Sequence, residues 1–167
     1  MLAPSTHPGT VHLTVTDLDR SVGFYQDAIG LRLHGRENGS AAMGAGGDDL
    51  VVLEENARAR PHGRTAGLYH FALLHPSREE LASALQRLAI RRTPMQGASD
   101  HGVSEALYLP DPDDNGIELY FDRPREVWPP PSPGFSVGIV TEPLDLENLL
   151  AAAPGSSAIE SKPITSR

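Results

Sequence analysis

Residues 105–124 read EALYLPDPDDNGIELYFDRP, two strands joined by a turn. Leu107 and Leu109 alternate with Ala106 and Tyr108 on the way in. Ile117, Leu119 and Phe121 alternate with Glu118 and Tyr120 on the way out. Strict alternation marks a sheet with one face on a core and the other toward something polar. Between the runs, Pro110, Pro112, Asp113, Asp114, Asn115 and Gly116 supply the fixed and left-handed backbone angles that a reversal needs. Glu118 stands on the face opposite the large apolar residues, with Tyr108 ten positions before it. A lone carboxylate in such a place is ordinarily a solvated one, so its meaning depends on partners.

Two partners lie upstream. In TVHLTVTD, His12 shares a face with Thr10 and Thr14, away from Val11, Leu13 and Val15. In GLYHFALL, His70 and Ala72 oppose Tyr69, Phe71 and Leu73. Three separate strands thus each turn a good metal ligand away from their bulky residues. Either histidine alone is more often packed or hydrogen-bonded than ligating. Taken with Glu118 in the same phase, they form the two-histidine, one-carboxylate set that suits Fe(II) and leaves positions for substrate and oxygen.

Bulk properties narrow the classes. At 167 residues the chain has room for one domain. Its hydrophobic content of 39% and charged content of 22% are those of a soluble globular protein. A formal charge of −8 argues against a nucleic-acid surface, and no basic cluster offsets it. Without cysteine there can be no disulfide, thiolate nucleophile or iron–sulfur cluster. No apolar run approaches a membrane span, and MLAPSTHPGT lacks the pattern of a signal peptide, so the default location is cytoplasmic.

After the first strand, Leu18, Val22, Tyr25 and Ile29 fall on one helical stripe, with Asp19 as the expected N-cap and Gly30 as the stop. LRLHGREN, SAAMGAGG and DLVVLEE read as three short strands, followed by a polar loop over 56–65. From His70 the plan repeats. Ser77 and Glu80 make a capping box, and Leu81, Leu85 and Leu88 the apolar stripe of a second helix. His12 and His70 lie 58 residues apart, as do Asp19 and Ser77. A period of that kind indicates a duplicated unit.

The expected class is therefore α+β, with paired βαβββ modules over about 8–56 and 66–125 making one domain, 8–125, around a cupped mixed sheet. The remainder, 126–167, reads as a Pro-rich connector through Pro129, Pro130, Pro131 and Pro133, then a short helix from Leu144 to Ala153 capped by Asp145. A disordered stretch, PGSSAIESKPITSR, ends it. No chemistry is expected of this tail. Exposed edges on a small sheet make a homodimer reasonable.

The paired plan resembles the vicinal oxygen chelate superfamily, which includes glyoxalases, fosfomycin and bleomycin resistance proteins and type I extradiol dioxygenases. TAGLYHFALLHPSREEL, GASDHGVSEALYLPDPDDNGIELYFDRPREVW and TEPLDLENLL closely resemble the N-terminal half of catechol 2,3-dioxygenase-like, ring-cleaving members. That resemblance implies an Fe(II) site, Mn(II) in some members, held by His12, His70 and Glu118. It implies an aromatic diol such as catechol or L-DOPA as substrate, with O2 as co-substrate. It makes Tyr108 a hydrogen-bonding catalytic tyrosine and His101 an approximate match to a histidine further upstream. An imidazole titrates near neutrality, which suits His101 to acid or base work. His7, His34, His62 and His75 read as surface residues. Many extradiol enzymes also carry a histidine on the fourth strand of the first unit. GGDDLVVLEE has none, only Asp48 and Asp49, so either an aspartate or His101 takes that role or the chemistry differs.

Three other readings stay open. A glyoxalase-like isomerase or thiol transferase would need a fourth ligand, for which only Glu54 or Glu55 is placed. A metal-free drug-binding protein would have no need of three ligands in phase. A partial or accessory half would need a partner chain.

Overall fold

The computed structural model describes residues 3, 6–60, 67–131, 133–134 and 136–155. His62 and the stretch 156–167 of the expected disordered tail lie outside these residues. The chain forms two compact units, one of Met1–Ala72 with Leu109–Glu118, the other of Leu73–Tyr108 with Leu119–Arg167. The fold is mixed α+β, and its element order runs β-α-β-β-β twice, as the repeat implies.

In the first unit, β1 (Val11–Val15), β2 (Arg32–Glu37), β3 (Ser40–Gly44) and β4 (Asp49–Glu55) form a mixed sheet of order β1-β4-β3-β2. The β1–β4 pairing is parallel, with His12 opposite Val52 and Thr14 opposite Glu54. Alternation does what the sequence indicates. Leu13, Val15, Ala41, Met43, Val51 and Leu53 are buried on one face, while His12, Thr14 and Glu54 are exposed on the other. The buried face takes α1 (Leu18–Phe24), which continues as a π-helical turn over Tyr25–Ile29 and ends at left-handed Gly30 (φ 92°). Leu18, Val22, Tyr25 and Ile29, the expected stripe, are all buried. Burying each such side chain stabilises by about 1.5–3 kcal/mol.

One expectation needs correcting. The N-cap of α1 is Asp17, whose Oδ1 accepts from Arg20 N at 2.9 Å, and not Asp19. Asp19 lies in the first turn, where a carboxylate complements the helix dipole, and its side chain pairs with Arg36. Asp17 is the residue that leaves the strand with extended backbone angles, and only such a residue can turn its side chain onto the free amides.

The second sheet contains β5 (Phe71–Leu74), β6 (Gly97–Asp100), β7 (Ser104–Pro110), β8 (Gly116–Asp122) and β9 (Glu142–Pro143), in the order β5-β8-β7-β6-β9. Within the second unit α2 (Arg78–Arg91) is capped by Ser77, which accepts from Glu80 N, and buries Leu81, Leu85 and Leu88. The tail contributes a short α3 (Leu146–Ala151), capped by Asp145 as expected, with Leu149 fully buried. Its Asn148 takes two hydrogen bonds from Arg78 on α2. Arg78 also grips Glu105, a carboxylate only 3% exposed, which Arg123 holds from the other side at 2.8 Å. Buried charge is tolerated when both partners and their hydrogen bonds are present.

Candidate functional site

The turn of the opening stretch is built by one buried side chain. Asp111 Oδ1 accepts from Asp113 N (2.8 Å) and Asn115 N (2.9 Å), while Oδ2 accepts from the Asn115 amide and from the Tyr25 hydroxyl at 3.1 Å. Burial first, then the adjacent Asp111 carboxylate, raises the Tyr25 pKa well above its usual value, so this hydroxyl stays a donor. Asp113, exposed to the start of α1, accepts from Thr16 N and the Thr16 hydroxyl and pairs with Arg20 at 2.8 Å. Burial alone would raise the Asp113 pKa. The Thr16 and Arg20 hydrogen bonds outweigh it and lower the value. The left-handed angle the turn needs falls on Asp114 (φ 66°).

Gly116 then fixes where β8 starts. A Cβ at this position would overlap the Tyr69 carbonyl oxygen and stand 3.1 Å from both Cα and Cβ of His70. Only glycine allows the two backbones so close. His70 is not itself a strand residue, since β5 begins at Phe71. It is the Gly116 contact that carries it to β8. Two residues on, Glu118 Oε2 lies 2.9 Å from His70 Nε2, with the carboxylate side chain 15% and the imidazole 29% exposed.

His12 is placed otherwise. Its Nδ1 lies 3.1 Å from Glu54 Oε1, and both side chains are more than half exposed. A carboxylate accepts, so the proton sits on Nδ1 and the Nε2 lone pair is left open. Metal-bound histidines are commonly oriented in that way. Glu55, the other possible fourth ligand, is spent on α1, where its Oε1 accepts from Leu18 N. Asp49 faces the His34 ring at 2.8 Å.

The donor set can be tested against the ion that the resemblance implies. Imidazole nitrogen and carboxylate oxygen suit Fe(II), and adjacent ligands at roughly 2.1 Å from an octahedral ion lie about 3 Å apart. The His70–Glu118 separation of 2.9 Å is that of a hydrogen-bonded ion pair, and neighbouring ligands would stand as far apart. Among the described residues no three His, Cys, Asp or Glu side chains converge as a metal-holding group. His70 and Glu118 are in contact, whereas His12, in the same unit, has its ring on Glu54 and does not join them. A cavity of about 290 Å³ borders His12, with Thr14 of β1, Thr16 just after it and Asn115 of the turn among its walls.

In the second unit His101 and Tyr108 are brought together, Nε2 to hydroxyl at 2.9 Å. His101 Nδ1 lies 2.9 Å from the Val140 carbonyl oxygen, which can only accept. The ring therefore carries its proton on Nδ1, and Tyr108 donates to Nε2. The segment that holds the ring comes from the tail, through Val140 N to His101 O (3.1 Å) and the pairing of β9 with β6. Sequence reasoning missed Val140 because a backbone carbonyl has no side-chain signature. It missed the Glu54–His12 contact because only the parallel register of β4 on β1 reveals it.

A family model for the Glyoxalase/Bleomycin resistance protein/Dioxygenase superfamily matches residues 7–119. The chain belongs to that superfamily. Over 151 residues it is 46% identical to a catechol-2,3-dioxygenase of Bacillus subtilis (strain 168), covering 89% of this chain and 52% of the relative. The chain thus spans about half the length of that protein. It is 31% identical over 118 residues to the glutathione transferase FosA of Serratia marcescens, covering 65% of this chain and 77% of the relative. Among solved structures, a glyoxalase/dioxygenase from Nostoc punctiforme superposes with a TM-score of 0.61 at 18% identity, covering 74% and 97% of the two chains. This last likeness shows the superfamily fold. No helix among the described residues is long and apolar enough to cross a membrane.

Proposed function

We propose that this superfamily member is an extradiol dioxygenase, opening the ring of a catechol-type substrate such as catechol or L-DOPA with O2. Its non-haem Fe(II), or Mn(II), would be held by His12, His70 and Glu118. The observation that carries the reading is the His70–Glu118 contact of 2.9 Å, which brings an imidazole and a carboxylate from distant stretches within reach of one ion. The 46% identity to a catechol-2,3-dioxygenase supports it.

When bound, the ion would stabilise the catecholate anion and bring diol and oxygen together. The chain's own residues do the rest. Gly116 sets the separation of His70 and Glu118, and Glu54 keeps the His12 proton on Nδ1 and the other nitrogen open. For proton handling we propose His101 and Tyr108. The carbonyl of Val140 fixes the ring so that Nε2 is basic, and the phenol donates to it. Such a dyad can accept or return one proton.

Glu54 favours a second reading. A carboxylate beside His12 could become a fourth ligand, as a glyoxalase-like isomerase or a thiol transferase would use, and the 31% identity to FosA points the same way. Protein purified without chelators should contain iron or manganese, and His12→Ala, His70→Ala or Glu118→Ala should each lose it. Oxygen uptake with catechol, L-DOPA or protocatechuate decides for ring cleavage. Hemithioacetal or thiol turnover without oxygen uptake decides against it.

A further inference from the structure

We propose that the cavity beside His12 seats the ring substituent of the substrate, and that Arg60 selects a substituent bearing a carboxylate. The diol part of this proposal rests on the ring-cleaving reading above. The anion part stands on the cavity itself.

Its walls come from one unit and are assembled from distant stretches: His12 and Thr14 of β1, Thr16 just after it, Arg60 beyond β4, and Asp113 and Asn115 of the turn. Three of these can carry charge, and two are answered. Asp113 is matched by Arg20 and Thr16, and His12 lies on Glu54. Among the described residues no carboxylate pairs with Arg60, an exposed residue of the 56–65 loop. In a chain of formal charge −8, an unmatched cation on a cavity wall is a local exception to the prevailing field. Guanidinium presents parallel N–H donors that fit a carboxylate in two-pronged fashion.

Size and lining narrow the ligand further. A volume of about 290 Å³ sits at the bottom of the usual pocket range of about 300–1,000 Å³. It has room for a catechol ring with a short side chain. The hydroxyl of Thr14 and the amide of Asn115 add neutral hydrogen-bonding groups, so a polar substituent need not be stripped of partners. The ligand class that follows is a single-ring catechol with an acidic side group, such as a dihydroxybenzoate or dihydroxyphenylacetate.

The test separates the anion seat from the chemistry. Calorimetry on the metal-free full chain would compare 3,4-dihydroxybenzoate with its neutral amide. The acid should bind at least tenfold tighter, and the preference should weaken as salt is raised. Arg60→Ala should bring the acid-to-amide ratio to near one, and Arg60→Lys should restore part of it. Equal binding of acid and amide, or an unchanged ratio in Arg60→Ala, overturns the proposal. Circular dichroism of the variant confirms that it is folded. Oxygen uptake by iron-loaded protein with catechol is run alongside. Failure there, with the Arg60-dependent ratio intact, removes the ring-cleaving reading and leaves the anion seat standing.

Discussion

Replacing Gly116 by alanine asks whether backbone contact positions the candidate ligands. The added Cβ would fall inside the Tyr69 carbonyl oxygen and 3.1 Å from two carbon atoms of His70. Backbone atoms cannot swing aside as a flexible side chain can, so the two segments must part by about 1 Å. Inserting a carbon into a packed site typically costs about 1–3 kcal/mol, and the neighbour here is backbone, so about 2–3 kcal/mol is expected. That is a large share of a total stability of about 5–15 kcal/mol. The same movement would open the 2.9 Å His70–Glu118 contact by a third of its length. Misplacing a metal ligand or its support costs roughly 10–100-fold in affinity. Urea unfolding reads the first effect, and Mn(II) titration of metal-free protein the second. Gly35→Ala, where an added Cβ meets nothing within 4 Å, is the control. Wild-type stability together with wild-type metal affinity in Gly116→Ala would refute the reasoning.

Other expectations follow from the same structure. Glu105→Ala leaves Arg78 and Arg123 facing each other without their buried carboxylate, and should cost about 3–5 kcal/mol in urea unfolding. Long-range nitrogen–proton spectra should show His101 protonated on Nδ1 alone, whereas a proton on Nε2 alone would break the assignment of Tyr108 as donor. In the folded chain the Asp113 and Asp100 pKa values lie below the ordinary 3.8. At Asp100 burial pushes upward, but hydrogen bonds from Gly102 N and Arg123 prevail. Both carboxylates therefore contribute stability above about pH 4 that is lost as pH falls through their folded values. An acid titration of Asp113→Asn should be flatter in that window, and an identical slope would count against this assignment. Gly23→Ala, with open space around its Cβ in α1, should raise stability by about 0.5–1 kcal/mol.

Much of the fold is legible because it rests on period. The alternation in β1, β4 and β8 and the Leu81, Leu85, Leu88 stripe each force one side of an element inward, and burial follows, whereas β7 is buried on both faces. The Ser77 and Asp145 caps are legible for the same local reason. Asp17 was not, because two aspartates flank the start of α1 and only backbone angles choose between them. At the candidate site, phase holds for Glu118 on β8, whereas His70 precedes β5 and only its residue type marks it. Their meeting depends on Gly116, which sequence reads merely as a turn glycine. Asp111 and Asp113 likewise read as turn formers. Their work is long-range, binding Tyr25, Thr16 and Arg20 across the sequence. Such contacts carry no periodic mark.

The first unit is discontinuous, with Leu109–Glu118 completing what Met1–Ala72 begins. On the ribosome, His70 would emerge well before the glutamate it meets. At about 5–20 residues per second, a few seconds of synthesis separate the two. During that interval the nascent chain presents His70 without the carboxylate it meets, so the pair cannot close until the later segment is released.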